Sequence, residues 1–171
     1  TAYEGDDEPT ARELIARMRT VQARSRRTLS ANELDTIARV EMMSGRYDAV
    51  ETTLSAALDA EQSTALGNEG DAIAECWLTL AEARRLDRRF AAAQDALDAA
   101  LRMCDLRGLS AVHARGREEQ AALYAATGRF QEAYEEHRAF YTESAALHSS
   151  QRDARARALQ AVFEATEARR T

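Results

Sequence analysis

Proline is almost missing from this chain: Pro9 is the only one in 171 residues, and glycine occurs seven times. Long helices therefore meet almost nothing in their interiors that would break them, and the residues that dominate, Ala, Arg, Glu and Leu, are strong helix formers. The two cysteines, Cys76 and Cys104, stand too far apart for a Cys-x-x-Cys motif and fall within helical patterns, so they read as buried thiols. No run of 18 apolar residues offers a membrane span, and the first residues carry no signal-peptide pattern, which places the chain in the cytoplasm. Lysine is absent altogether. The 23 basic residues are all Arg, against 29 acidic ones, and the resulting charge of −6 argues against nucleic acid as the main partner. The all-Arg bias fits a GC-rich genome.

What is present is a repeated phrase. Gly45-Arg46-Tyr47 leads to Val50, Leu54 and Ala57; Arg88-Arg89-Phe90 leads to Ala93, Leu97 and Ala100; Gly128-Arg129-Phe130 leads to Ala133, His137 and Phe140. Each copy is a tight turn, an aromatic residue, then small and large residues at helical spacing. The turn positions 45, 88 and 128 lie 43 and 40 residues apart. Units of this kind cannot bury their faces alone and must stack on their neighbours.

The chain reads as eight helices. Residues 1–9 form a disordered acidic lead-in, and a helix starts near Pro9 with Leu14, Met18, Val21 and Ser25 on one face. Its other face carries Arg12, Arg17, Arg19, Arg24, Arg26 and Arg27, which stay solvated or complement the acidic stretch 31–70. Ser30 and Glu33 form a capping box that starts the second helix, and Gly45 stops it. The third helix spans 47–65, Gly67-Asn68-Glu69-Gly70 makes a turn, and the fourth helix carries Ile73, Trp77, Leu80 and Ala81. The fifth runs from Phe90 to Gly108, the sixth from Ser110 to Thr127, and the seventh from Phe130 to Leu147. An eighth, over 150–170, has Leu159, Val162, Phe163 and Thr166 in one stripe, long enough to dock but short for a coiled coil.

The three phrases resemble the second helix and preceding turn of the tetratricopeptide repeat (TPR). Leu34, Ile37 and Ala38, then Trp77, Leu80 and Ala81, then Ala121 and Tyr124, stand in part where its first helix has Trp, Leu, a small residue and Tyr. Glu41, Arg84, Arg117, Gln120 and His137 depart from that pattern. The resemblance implies an all-α fold: a right-handed α-α superhelix, or TPR solenoid, of about three hairpins over 31–66, 70–107 and 110–148 within a repeat domain at 10–149. The segment 150–171 is then a C-terminal helix whose first half caps the solenoid and whose second half connects onward. The rings of Tyr47, Phe90 and Phe130 fill the gap below each turn. The family's groove, lined by the first helix of each repeat, projects onto Asn32, Asp35, Arg39 and Met42, onto Glu75, Leu78, Thr79, Glu82 and Arg85, and onto Arg115, Glu118, Glu119 and Ala122. The Arg and Asn pattern of repeats that clamp chaperone C-termini is not supplied by Asp35 with Arg39 or Leu78 with Glu82. The groove either takes a partner or is filled by the chain's own terminal helix.

Chemistry is hard to find in these residues. No phosphate loop, GxSxG elbow or HExxH occurs, His113, His137 and His148 are scattered, and Glu118-Glu119 and Glu135-Glu136 read as surface carboxylates splayed by adjacency. No catalytic, cofactor or metal site is assigned, and the fragment is not expected to be an enzyme. From Tyr134 to Tyr141 and from Arg152 to Arg170 the composition is similar to the end of TPR regions that precede bacterial diguanylate cyclase (GGDEF) domains. That similarity implies the regulatory half of such a protein, cut from a longer chain. It holds a protein or peptide in its groove, passes the signal to an attached C-terminal domain, and leaves a homodimer through the C-terminal helix open. The alternatives are a stand-alone scaffold, or the sensor region of a peptide-responsive transcriptional regulator or histidine kinase.

Overall fold

The computed structural model describes residues 8–25, 29–63 and 70–170; the lead-in before Glu8, Arg26 and Arg27, and the expected turn at Gly67 lie outside them. Within those residues the chain is all helical, with seven helices: α1 (Glu8–Ser25), α2 (Ala31–Met43), α3 (Tyr47–Ser63), α4 (Gly70–Leu86), α5 (Phe90–Arg107), α6 (Ser110–Ala126) and α7 (Phe130–Arg170). Among the described residues no helix is long and apolar enough to cross a membrane.

Local chemistry sets the helix ends. Ser30 Oγ accepts the Glu33 amide while the Glu33 carboxylate accepts the Ser30 amide, the reciprocal box that starts α2. Three turns close the same way. The Arg46, Arg89 and Arg129 amides donate to the carbonyls of Glu41, Arg84 and Tyr124, and the Gly45, Arg88 and Gly128 amides to those of Met42, Arg85 and Ala125. This pair of bonds needs a left-handed residue between the helices, and Gly45, Arg88 and Gly128 have φ of 69°, 61° and 79°. The middle copy thus places an arginine where the others place glycine.

Because these links are so short, α2–α3, α4–α5 and α6–α7 are antiparallel hairpins. Successive hairpins lie side by side: α2 touches α4 and α4 touches α6, while α3 touches α4 and α5 touches α6. The core follows that order. Ile37, Val50, Leu54, Ile73, Cys76 and Leu97 are almost wholly excluded from water, and each large aliphatic among them contributes about 1.5–3 kcal/mol. Small residues set the spacing. Ala38, Ala74, Ala93, Ala96 and Ala100 have no exposure, and a Cβ on Gly116 would lie 2.6 Å from Leu101 Cδ2, so α5 and α6 meet there almost backbone to side chain. Both cysteines are buried thiols outside any disulfide, and burial pushes Cys104 up to about 11.

Two expectations are corrected. Among the described residues no separate eighth helix occurs: α7 runs unbroken from Phe130 to Arg170, because Leu147-His148-Ser149-Ser150-Gln151 contains neither glycine nor proline to turn it. Residues 151–167 are therefore exposed and cap nothing; without a turn near 150 they have no route back onto the hairpins. Phe130 does not fill a gap either. Tyr47 and Phe90 pack on the core, but Phe130 is 72% exposed, since among the described residues only α6 packs on α7 and Phe130 lies off that face.

Among the described helices α1 packs on α2. The expected charge complement is there in part: Arg19 Nη2 reaches the buried Glu41 Oε1 at 2.7 Å, and Thr53 Oγ1 donates to Glu41 Oε2 at 2.7 Å.

Candidate interaction groove

Helices α2, α4 and α6 stand in a row, and their shared face carries the residues that the repeat pattern assigns to a groove. They form a ladder of charges. Asp35, 9% exposed, accepts Arg39 Nε at 2.8 Å on one oxygen and Thr79 Oγ1 at 2.5 Å on the other. Arg39 Nη2 extends to Glu75 Oε2 at 3.3 Å, and Arg115 Nη1 donates to the same oxygen from α6. Farther along, Arg85 grips Glu119 with both arms, Nε to Oε1 at 2.6 Å and Nη2 to Oε2 at 3.1 Å. The rungs tie three helices together across two hairpin boundaries.

Titration follows from this packing. Burial alone would lower the Arg39 pKa, but Asp35, Glu75 and Glu82 outweigh it and raise it above the usual guanidinium value. Arg85 is raised by its bond to Glu119 against the cost of burial. Burial pushes the Glu119 carboxyl above the ordinary carboxylate range; Arg85 opposes that, and the nearby charges of Glu82 and Glu118 add to it.

Most of the residues expected to be available in the groove are thus engaged. Asp35, Arg39, Glu75, Thr79, Arg85, Arg115 and Glu119 hold one another, and Met42 packs on the core. Glu119 is no surface carboxylate, with its side chain only 12% exposed. Asn32 and Glu118 are open to solvent. Neither Glu82 nor Glu118 makes an ion pair with a described residue. Seven of the expected positions come together around one cavity of about 250 Å³: Leu78, Glu82 and Arg85 from α4, and Arg115, Glu118, Glu119 and Ala122 from α6. Asn32, Asp35, Arg39 and Met42 lie on α2, outside it. The terminal helix does not fill this face, because among the described residues α7 packs only on α6 and residues 151–167 are exposed.

Some contacts were not legible in the sequence. Arg117 Nη1 donates to Glu136 Oε2 at 2.9 Å and its Nε to Glu143 Oε2 at 3.1 Å, while His113 Nδ1 lies 2.9 Å from Glu143 Oε1. Gln120 and Gln94 exchange two amide bonds of 2.9 Å across α5 and α6. Arg117 and Gln120 are departures from the repeat pattern, and the only available signal was that both are polar at positions facing a neighbouring helix. A second, open cavity of about 600 Å³ lies between α6 and α7, lined by Arg117, Glu135, Arg138, Ala139, Thr142, Glu143 and Ala146. No set of His, Cys, Asp and Glu among the described residues is arranged to hold a metal ion.

No family model matches the chain, and comparison with curated proteins and with solved structures returns no match.

Proposed function

We propose that the chain is a TPR-type repeat domain, a right-handed solenoid of helical hairpins, that binds a peptide or protein segment across α2, α4 and α6 and does no chemistry itself. The observation that carries this reading is the cavity between α4 and α6, whose lining is made wholly of residues that the repeat pattern places in the groove. Its lining has three carboxylates and two guanidiniums, and the two carboxylates without an ionic partner among the described residues, Glu82 and Glu118, suit a segment that brings a basic side chain. In this reading the domain is the regulatory half of a bacterial cytoplasmic signalling protein of the diguanylate cyclase kind. The unbroken α7 supports signal input over a plain scaffold, because a continuous helix carries a tilt at the groove to an attached domain.

Panning a random decapeptide library on the immobilised chain tests this. Enriched peptides should carry Arg or Lys and lose most of their binding to the Glu82→Gln/Glu118→Gln variant, with a melting temperature close to that of the parent, since neither carboxylate makes an ion pair with a described residue and neither change adds a like charge beside Arg85. Enrichment that the double variant leaves intact would remove the groove from consideration.

A further inference from the structure

The exposed large apolar residues of α7 are not scattered. At 3.6 residues per turn, Phe130, Tyr134, Tyr141, Leu159, Val162 and Phe163 fall within a sector of about 100°, and all are more than half exposed. They form two clusters, an aromatic one near the hairpin turn and a mainly aliphatic one near the far end, separated by His148, Arg152 and Arg155 on the same stripe. This sector is not the one that faces α6, where Glu136, Phe140, Glu143 and Leu147 lie.

The earlier hairpins show what this stripe does. On α5 the equivalents of Phe130, Tyr134 and Tyr141 are Phe90, Gln94 and Leu101. Gln94 bonds Gln120 of α6, and Leu101 presses on Gly116 of α6. On α3 they are Tyr47, Glu51 and Leu58; Glu51 binds Arg84 of α4 and Leu58 is buried. In both cases the stripe receives the next helix, and α6 runs antiparallel to α5 across the short link at Gly108 and Leu109. On α7 the same surface awaits an antiparallel helix with an apolar face.

We propose that this helix is the far half of α7 from a second copy of the chain, paired antiparallel about a twofold axis near Ser150. Tyr141 and Leu159 lie equally far from Ser150 along the helix, as do His137 and Phe163, and Tyr134 and Thr166. Rotation about that axis sets Leu159 of each copy on Tyr141 of the other and Val162 and Phe163 between the levels of Tyr141 and Tyr134, so one self-complementary patch is used twice, with Phe130 outside it. Charge favours the same direction. Arg152 and Arg155 face His148 and Ala145 of the other copy, whereas a parallel pair in register would set each arginine against itself. The pairing also gives residues 151–167, which touch no other helix, the tertiary packing that a helix segment of that length needs to be well formed.

Light scattering on the whole chain, at concentrations up to about 0.1 mM, should give twice the mass of one chain. Leu159→Glu and Phe163→Glu should each weaken the dimer more than about tenfold, and Glu82→Lys should leave it unchanged. Direction is read by oxidising single-cysteine variants made in a Cys76→Ala/Cys104→Ala background. A mixture of Tyr141→Cys and Leu159→Cys chains should cross-link to each other, and neither variant to itself. A chain that stays monomeric would overturn the proposal and hand the stripe to another segment or protein, and self-linking of each variant would overturn the antiparallel register.

Discussion

Arg88 carries a conformation that its side chain does nothing to favour. It sits at φ 61°, is exposed, and occupies the place taken by Gly45 and Gly128 in the equivalent turns. A residue with a Cβ costs about 1 kcal/mol there relative to glycine. Arg88→Gly is therefore expected to raise the melting temperature by about 2–4 °C in a chain of this size, measured by circular dichroism. A flat or lowered value would mean that the turn gains something from the arginine itself. The position was legible in the sequence only because two glycine copies framed it. Glu41 shows the reverse situation. As a carboxylate in place of the family's tyrosine it read as a blemish, yet it is 2% exposed and held by Arg19 and Thr53. Those partners come from α1 and α3, so their meeting depends on how three helices dock, which no local pattern encodes.

At the scale of the helix, the small residues and the turns were legible and the length of α7 was not. Ala93 has no exposure and faces the inside of the α4–α5 hairpin, while Ala125 is exposed near the end of α6. Ala93→Leu should cost about 1–3 kcal/mol through overpacking, and Ala125→Leu should stay within about 0.5 kcal/mol; equal losses in thermal melts would mean that the hairpin phase is misplaced. The turns could be found because glycine and the aromatic residue after it mark them chemically. The end of α7 could not, since an amphipathic stripe looks the same whether its helix doubles back or runs on. Phe130 was misjudged for a related reason: its pattern matches Tyr47 and Phe90, but its burial depends on a helix that lies beyond the pattern.

For the molecule as a whole, stability rests on contacts between hairpins, and many of those contacts are ionic. The Glu51 carboxyl is held below the usual value near 4.5, first by its hydrogen bond from Arg84, which outweighs the cost of burial, and further by the bond from Arg89. A depressed pKa means that this contribution is present above the ordinary carboxylate value and is lost as pH falls through the folded one. Glu119 is shifted the other way, so its ionisation works against the fold as pH rises through its raised value. The wild-type melting temperature should thus fall as pH drops below about 4.5, and Glu51→Gln should be less stable at neutral pH but show a shallower fall. Parallel curves for the two proteins would assign the acid sensitivity elsewhere. The ion pairs along α2, α4 and α6 were not legible in the sequence. The offsets name Arg39, Glu75 and Arg115, while the sharing of Glu75 by both arginines is set by the spacing of α2, α4 and α6.

The seat of α7 makes it a lever. About half of its length is clamped to α6 through Arg117, His113 and the two glutamates opposite them, and residues 151–170 extend about 30 Å beyond. A tilt of about 5° at the clamp moves the tip by about 3 Å, close to the diameter of a water molecule, while the clamp residues shift by a few tenths of an ångström. Small adjustments among the hairpins are in this way magnified at a distance, with a gain set by where Arg117 stops holding the helix.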